Sequence, residues 1–252
     1  MIRLLRKIRH QLLSEKSYSL YLLYASGEIF LVVVGILFAL QIDNRNDTKK
    51  IKNEELGILV NLRNDLYEAK IESSRLIDEE TKSRNYLISA LTINSTRESM
   101  LLNSNSDSIF REIIWNLEID VPVIKSYSDI KYTGKTGLIM NQKIRQRFTN
   151  LESSINRLHS QIADRLHVQQ LRIDDIAANE INFVRITGIL HPELMMDQET
   201  ENDYLLLLGN QKIRNLLAIK LELTGEVVRY RRQLDNDINS LIKLLNDELA
   251  DQ

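Results

Sequence analysis

The chain has 252 residues with no cysteine, one tryptophan, two prolines and eight glycines; 33 basic and 35 acidic side chains give a net charge of −2. Without cysteine there is no disulfide, thiolate metal site, catalytic thiol or lipid-modified cysteine. The near-neutral balance lacks the cationic surplus that polyanions attract, so no nucleic-acid partner is expected. So little helix-breaking punctuation points to few, long helices.

Charge is spread unevenly. Residues 1–19 sum to +4, residues 20–42 to −1 through Glu28, and residues 43–252 to −5. In the first segment Ile2, Leu5, Ile8 and Leu12 recur at helical spacing against Arg3, Arg6, Lys7 and Arg9, which reads as a basic amphipathic helix on an anionic leaflet or as an ordinary charged flank.

Residues 20–42, LYLLYASGEIFLVVVGILFALQI, are mostly apolar, with Glu28 as their one charged residue. As a helix they span about 35 Å, enough for a hydrocarbon core of about 30 Å. The segment reads as a transmembrane helix rather than a cleaved signal peptide, because no small-x-small cleavage site follows the apolar run 29–40. Five basic residues precede it and Arg45, Lys49, Lys50 and Lys52 follow it, so the bias only modestly favours a cytoplasmic N-terminus, with residues 43–252 outside, in the periplasm of a Gram-negative cell.

Tyr18, Tyr21 and Tyr24 suit an interfacial belt, which puts Glu28 about one turn inside the apolar region. Ala25, Glu28, Val32, Gly35 and Ala39 share one helical stripe, and Gly35 with Ala39 forms a small-x-x-x-small pair, so the stripe is a candidate helix-packing face. Glu28 is open to three readings: a packing residue, a side chain reaching the headgroups, or a proton-carrying carboxylate.

Beyond Asp43 the pattern predicts that the helix continues to about Leu91, with Leu59, Leu62, Leu66, Ala69 and Leu76 on its apolar stripe. The Ser/Asn-rich stretch 94–107 reads as a loop, and Asp107 as the cap of a short helix over 108–118 ahead of Pro122. Ile144, Phe148, Leu151, Ile155, Leu158 and Ile162 then alternate spacings of four and three, a coiled-coil-like seam that continues less strictly to Ile176, before Gly188 and Pro192. A last helix is predicted over 203–250, its stripe drawn through Ile213, Leu216, Leu223, Val227, Tyr230, Leu234, Ile238, Leu241 and Leu245. The expected fold class is all-α: a single N-terminal transmembrane helix followed by an elongated antiparallel helical bundle with coiled-coil-like seams. The expected segments are 1–19, 20–42 and 43–252.

One pentapeptide occurs twice, Asn-Gln-Lys-Ile-Arg at 141–145 and at 210–214. Asn is a good N-cap, so both copies read as helix starts at one end of the bundle, in preference to a shared binding element.

No constellation for chemistry emerges. Gly134-Lys135-Thr136 has the GKT of a phosphate-binding loop, but Asp129 stands where the first glycine belongs and no strand precedes it, so no nucleotide partner is expected. His10, His159, His167 and His191 have no metal-ligand spacing, and His159 and His167 read as surface or seam residues. Glu79-Glu80 and Asp174-Asp175 read as solvated-face charges. No catalytic, cofactor-binding or metal-binding residue is expected, and no cofactor.

The run MIRLLRKIRHQLL followed by Gly27-Glu28-Ile29 and by Gly35, Ala39, Leu40, Gln41 and Ile42 resembles an uncharacterised family of single-pass membrane proteins common in Bacteroidota. The likeness is strong over about the first 50 residues and looser around TGKTGLIMNQKIR, where Thr133, Lys135 and Thr136 depart from the usual form. It implies a bacterial inner-membrane location and supplies no mechanism. The expected function is that of a non-enzymatic, membrane-anchored helical scaffold or accessory subunit of an envelope complex. Its partners would be the lipid bilayer and either further copies of itself, as a homo-oligomer, or another membrane protein. The alternatives are a ligand-sensing bundle that signals through a partner and a proton-linked membrane subunit.

Overall fold

A computed structural model of the chain describes residues 18–92, 98, 105–191, 193–194 and 198–251. It is all-α, with no strand among these residues. The helices are α1 (Tyr18–Leu91), α2 (Ser106–Ile114), α3 (Lys125–Tyr132), α4 (Gln142–Val168), α5 (Asp174–Asn179), α6 (Phe183–Thr187), α7 (Tyr204–Gly209) and α8 (Gln211–Ala250). A 3₁₀ turn, Lys135–Leu138, is entered from α3 through Gly134 at φ 70° and leads towards α4, and a π turn, Gln169–Ile173, joins α4 to α5. The chain divides into two compact units, Met1–Gly57 and Ile58–Gln252.

In the first unit α1 follows the expected course, since no glycine or proline after Gly35 interrupts it before Gly57. Its apolar segment has a mean hydropathy of 2.1 over a membrane-length window, and none of that window is buried in the chain. By length and composition it is long and apolar enough to cross a membrane.

The second unit is built on α1, α4 and α8. The Asn141 amide donates to Glu248, the Ser154 hydroxyl to Asp237 and the Asn246 amide to the Tyr67 hydroxyl, so α8 runs antiparallel to both α1 and α4. The two helices that run the same way need a long return, which α2, the segment 115–124 and α3 provide.

Each long helix buries one seam at alternating spacings of three and four. On α1 the seam is Leu59, Leu62, Leu66, Ala69, Ser73, Leu76, Glu80, Ser83, Leu87 and Ala90; on α8 it is Ile213, Leu217, Lys220, Thr224, Val227, Arg231, Leu234, Ile238, Leu241 and Leu245. The α4 seam holds Ile144, Phe148, Leu151, Leu158 and Ile162 as expected, with Ile155 partly buried, and then continues through Arg165 and Gln169. Polar residues at these inner positions divide the apolar core into two clusters. One gathers Leu62, Phe148, Leu158, Val227 and Leu241, and the other Leu87, Phe110, Ile173, Leu208 and Leu217.

Several expectations are corrected. The α8 seam passes through Leu217, Lys220, Thr224 and Arg231, leaving Leu216, Leu223 and Tyr230 only partly buried, because burial follows heptad position even where the residue is polar. The helix predicted over 203–250 breaks at Asn210 into α7 and α8. Asp107 does not cap α2. It lies inside the helix, and its carboxylate binds Arg185 and Tyr204 instead. The stretch to Gly188 is likewise interrupted, with Asn182 capping a separate α6. Pro192, and the loop expected over 94–107 except Glu98 and residues 105–107, lie outside the described residues.

Asn141 and Asn210 do start helices. The Asn141 side chain accepts from the Lys143 and Ile144 N–H groups, and that of Asn210 accepts from the Lys212 N–H. The likeness extends further. In both copies the Ile is buried, and the Arg side chain reaches back six residues to a carbonyl, Arg145 to Ile139 and Arg214 to Leu208. Because α4 and α8 are antiparallel, however, the two starts lie at opposite ends of the unit: Asn141 beside Glu248, and Arg214 on the Leu91 carbonyl.

Candidate functional site

Within α1 the sequence-predicted packing face is open. Glu28, Val32, Gly35 and Ala39 are exposed and Ala25 is partly so, with Val32 58% exposed. A Cβ added at Gly35 would meet nothing within 4 Å, so among the described residues none makes the close approach that a small-x-x-x-small pair permits. Arg3, Arg6, Lys7 and Arg9 lie outside the described residues. The structure therefore brings the five stripe residues onto one helix and gives them no packing partner among the described residues.

The densest polar constellation lies in the second unit, and sequence reasoning missed it. Glu80, Arg165 and Arg231 occupy inner positions of α1, α4 and α8 and are each 2% exposed. Glu80 accepts from both guanidiniums: a two-point pair with Arg165, and Arg231 Nε at 3.4 Å. Two cations on one buried carboxylate leave a surplus positive charge, which needs further acceptors.

The segment 115–124 supplies them. Arg165 Nη2 donates to the Glu118 carbonyl at 2.5 Å, and Arg231 donates to the Asp120 carbonyl at 2.8 Å and to that of Glu118 at 3.4 Å. One layer along, Lys220 Nζ donates to the carbonyls of Ile114 at 2.9 Å and Asn116 at 3.3 Å, and Gln169 Nε2 donates to Ile114 at 2.8 Å. Ile114 closes α2 and Trp115 keeps helical backbone angles; beyond them the carbonyls taken are those of residues 116, 118 and 120. A period of two is that of an extended chain, in which alternate carbonyls share an edge.

The spacing of the donors agrees. Lys220 and Arg231 lie about 16 Å apart along α8 by helical rise, while their carbonyls, 114 and 120, are six residues apart, or ~2.7 Å per residue. With Trp115 still helical, that mean leaves the chain from Asn116 onward as an extended strap, closed at its far end where the Ser126 N–H donates to the Asp65 carboxylate at 2.6 Å. The strap also accounts for the early end of α2. The Ile114 carbonyl receives Lys220 and Gln169 rather than a continuing helical turn.

Burial, and then the charge of Arg165, pushes the Lys220 ammonium down to about 7, against the smaller opposing pull of Asp174, Glu80 and Glu112. Burial also lowers Arg231, opposed by Glu80, without removing its charge. Desolvation raises the Glu118 carboxyl, while the bond it receives from the Asp120 N–H works the other way. Glu80 corrects the reading of Glu79-Glu80 as a pair of solvated charges: Glu79 is exposed and pairs with Arg75 at 2.8 Å, but Glu80 is not.

A second polar knot ties the far end of the unit. Asp107 accepts from Arg185 Nε at 3.0 Å and from the Tyr204 hydroxyl, whose ring stacks on Phe110 at 4.1 Å. Asn182 and Asn202 hydrogen-bond each other across the α5–α6 and α7 approaches. His159 and His167 are exposed on α4, in line with the surface reading, and Gly134 serves a turn. Among the described residues no three His, Asp or Glu side chains cluster as a metal site.

The site is therefore a clamp: cationic side chains from two seams grip one edge of a strap. Apart from Arg165 Nε, which has no partner, its donors are engaged with main-chain oxygens and carboxylates. A helical protein with one membrane-length apolar segment and a separately cored helical unit is the class so defined. The chain belongs to the family of unknown function DUF6090, which matches residues 28–157, just over half of its length. The match begins at Glu28 and takes in the strap and the start of α4, but not Arg165, Lys220 or Arg231. No curated protein and no solved structure matches the chain.

Proposed function

We propose that this protein is a non-enzymatic, membrane-anchored helical scaffold or accessory subunit of a bacterial envelope complex. The observation that carries the reading is the contrast between the units: in α1 Ile29, Phe30, Leu31 and Phe38 are 62–71% exposed, whereas the second unit closes two apolar cores of its own. Exposed apolar surface of that extent calls for lipid or another membrane helix. The reading puts α1 through the inner membrane with the N-terminus cytoplasmic and residues 43–252 periplasmic, as the modest charge bias favours. Assembly uses the Ala25, Glu28, Val32, Gly35 and Ala39 face, with a homo-oligomer or another membrane protein as neighbour.

The test is extraction of the tagged protein from its native membrane, with the composition of the complex measured for Gly35→Leu and Glu28→Gln. Gly35→Leu is expected to disrupt the complex, and Glu28→Gln to weaken it less. Parent-like assembly of both variants would refute the membrane face, and release of the protein by alkaline carbonate would refute the anchor.

One observation favours the ligand-sensing alternative. An open groove of about 950 Å³ beside α5 and α7 is lined by Asn179, Asn182, Asn202, Leu205 and Leu206. That reading requires a small molecule to raise the melting temperature of the second unit.

A further inference from the structure

In an extended chain the N–H and C=O of one residue point to the same edge, and those of the next residue to the other. The clamp takes the carbonyls of Asn116, Glu118 and Asp120, so Leu117, Ile119, Val121 and Val123 direct their main-chain groups away from Arg165 and Arg231. Among the described residues none of these four makes a hydrogen bond, and groups left unpaired in this way persist where water reaches them. Ile119 and Val123 are 51% and 66% exposed. The strap is a single extended segment engaged along one edge and unpaired along the other.

A groove of about 320 Å³ is lined by Trp115, Leu117 and Ile119 together with Leu166, Gln169 and Gln170. Gln169 is 5% exposed; its Nε2 is engaged by Ile114 and Asp174, and its Oε1 has no partner.

We propose that the strap's outer edge, residues 117–123, receives an extended peptide segment of a partner protein by strand addition, with apolar residues alternating with basic or neutral ones. Only a main chain presents a donor and an acceptor at every second residue, the repeat of ~7 Å at which the strap leaves its own open. The strap's charge selects the occupant. A second copy pairing antiparallel about Ile119 would set Glu118 opposite Asp120, acid against acid. A helix would present contacts at spacings of three and four, which match nothing on this edge. The inference gives the scaffold a docking surface and rests on that reading only for the occupant being a protein.

The test selects a displayed library of random peptides of about ten residues against the full-length protein in detergent. Enriched peptides are expected to alternate apolar with Lys, Arg or uncharged residues. Their affinity should fall at least about tenfold in Ile119→Pro, which removes one outward N–H, and survive in Ile119→Val. If Ile119→Pro does not fold, amide exchange on the unaltered protein decides: a bound peptide must slow exchange at Leu117, Ile119 and Val121. The proposal is overturned by an empty selection, by peptides with helical spacing, by indifference to both strap tests, or by a strap-dependent dimer in sedimentation. An empty selection with an intact complex in the membrane would remove this surface and leave the scaffold reading standing.

Discussion

Glu80 of α1 and Arg165 of α4 form a two-point ion pair with both side chains 2% exposed, and Arg231 of α8 closes on the same carboxylate. The pair joins the two helices that run the same way and lies between the two apolar clusters, so three helices meet at one charge.

Removing that charge leaves two buried cations together. Glu80→Leu is expected to destabilise the second unit by about 3–5 kcal/mol, because the guanidiniums keep their burial and lose their counter-charge. Urea unfolding followed by helical signal measures it. A loss below about 1 kcal/mol, the level of an exposed pair, would contradict the buried geometry.

Lys220 makes stability depend on pH in a definite direction. Its folded pKa, about 7, lies below the ordinary lysine value of 10.5, so between the two the unfolded chain holds the extra proton. Stability therefore rises with pH across this window, by at most about 1.4 kcal/mol per unit, and the penalty is fully present below pH 7. In Lys220→Met this rise should vanish. Unfolding midpoints from about pH 6 to 10 compare the two proteins, and parallel profiles would refute the assignment.

The repeated pentapeptide predicts paired effects. Asn141→Ala and Asn210→Ala should each cost about 1 kcal/mol through loss of the cap to Lys143 and Ile144, or to Lys212. Since the two starts lie at opposite ends of the unit, the double variant should show additive losses in thermal unfolding.

Tyr204→Phe tests the far knot. The hydroxyl's bond to Asp107 is lost while the ring stays on Phe110, so the cost is about 1–3 kcal/mol with little change in packing. A double-mutant cycle with Arg185→Met should reveal coupling through the shared carboxylate.

The helical class, the long α1, the α4 seam and both Asn caps are legible in the sequence because each rests on a local signal: apolar periodicity or a capping side chain. The clamp was not, although its signal was present. Spacings of three and four from Ile162 reach Arg165 and Gln169, and from Leu217 they reach Lys220, Thr224 and Arg231, but a search for apolar stripes steps around such residues. Glu80 was misplaced for the same reason, since only Arg165 and Arg231, 85 and 151 residues away, make its burial tolerable. The strap is harder still. WNLEID has no breaker before Pro122, and its extended form is imposed by donors from α4 and α8.

The polar seam positions also set the bundle's alignment. Apolar heptads alone are nearly indifferent to a slide of about seven residues, because leucine meets leucine again. Here such a slide of α8 would put Thr224 or Ile238 where Arg231 stands. Glu80 would lose one of its two cations, and the strap's carbonyls would face methyl groups instead of guanidinium. The buried charges thus work as the notch of a key, admitting one of several registers that greasy surfaces alone would accept.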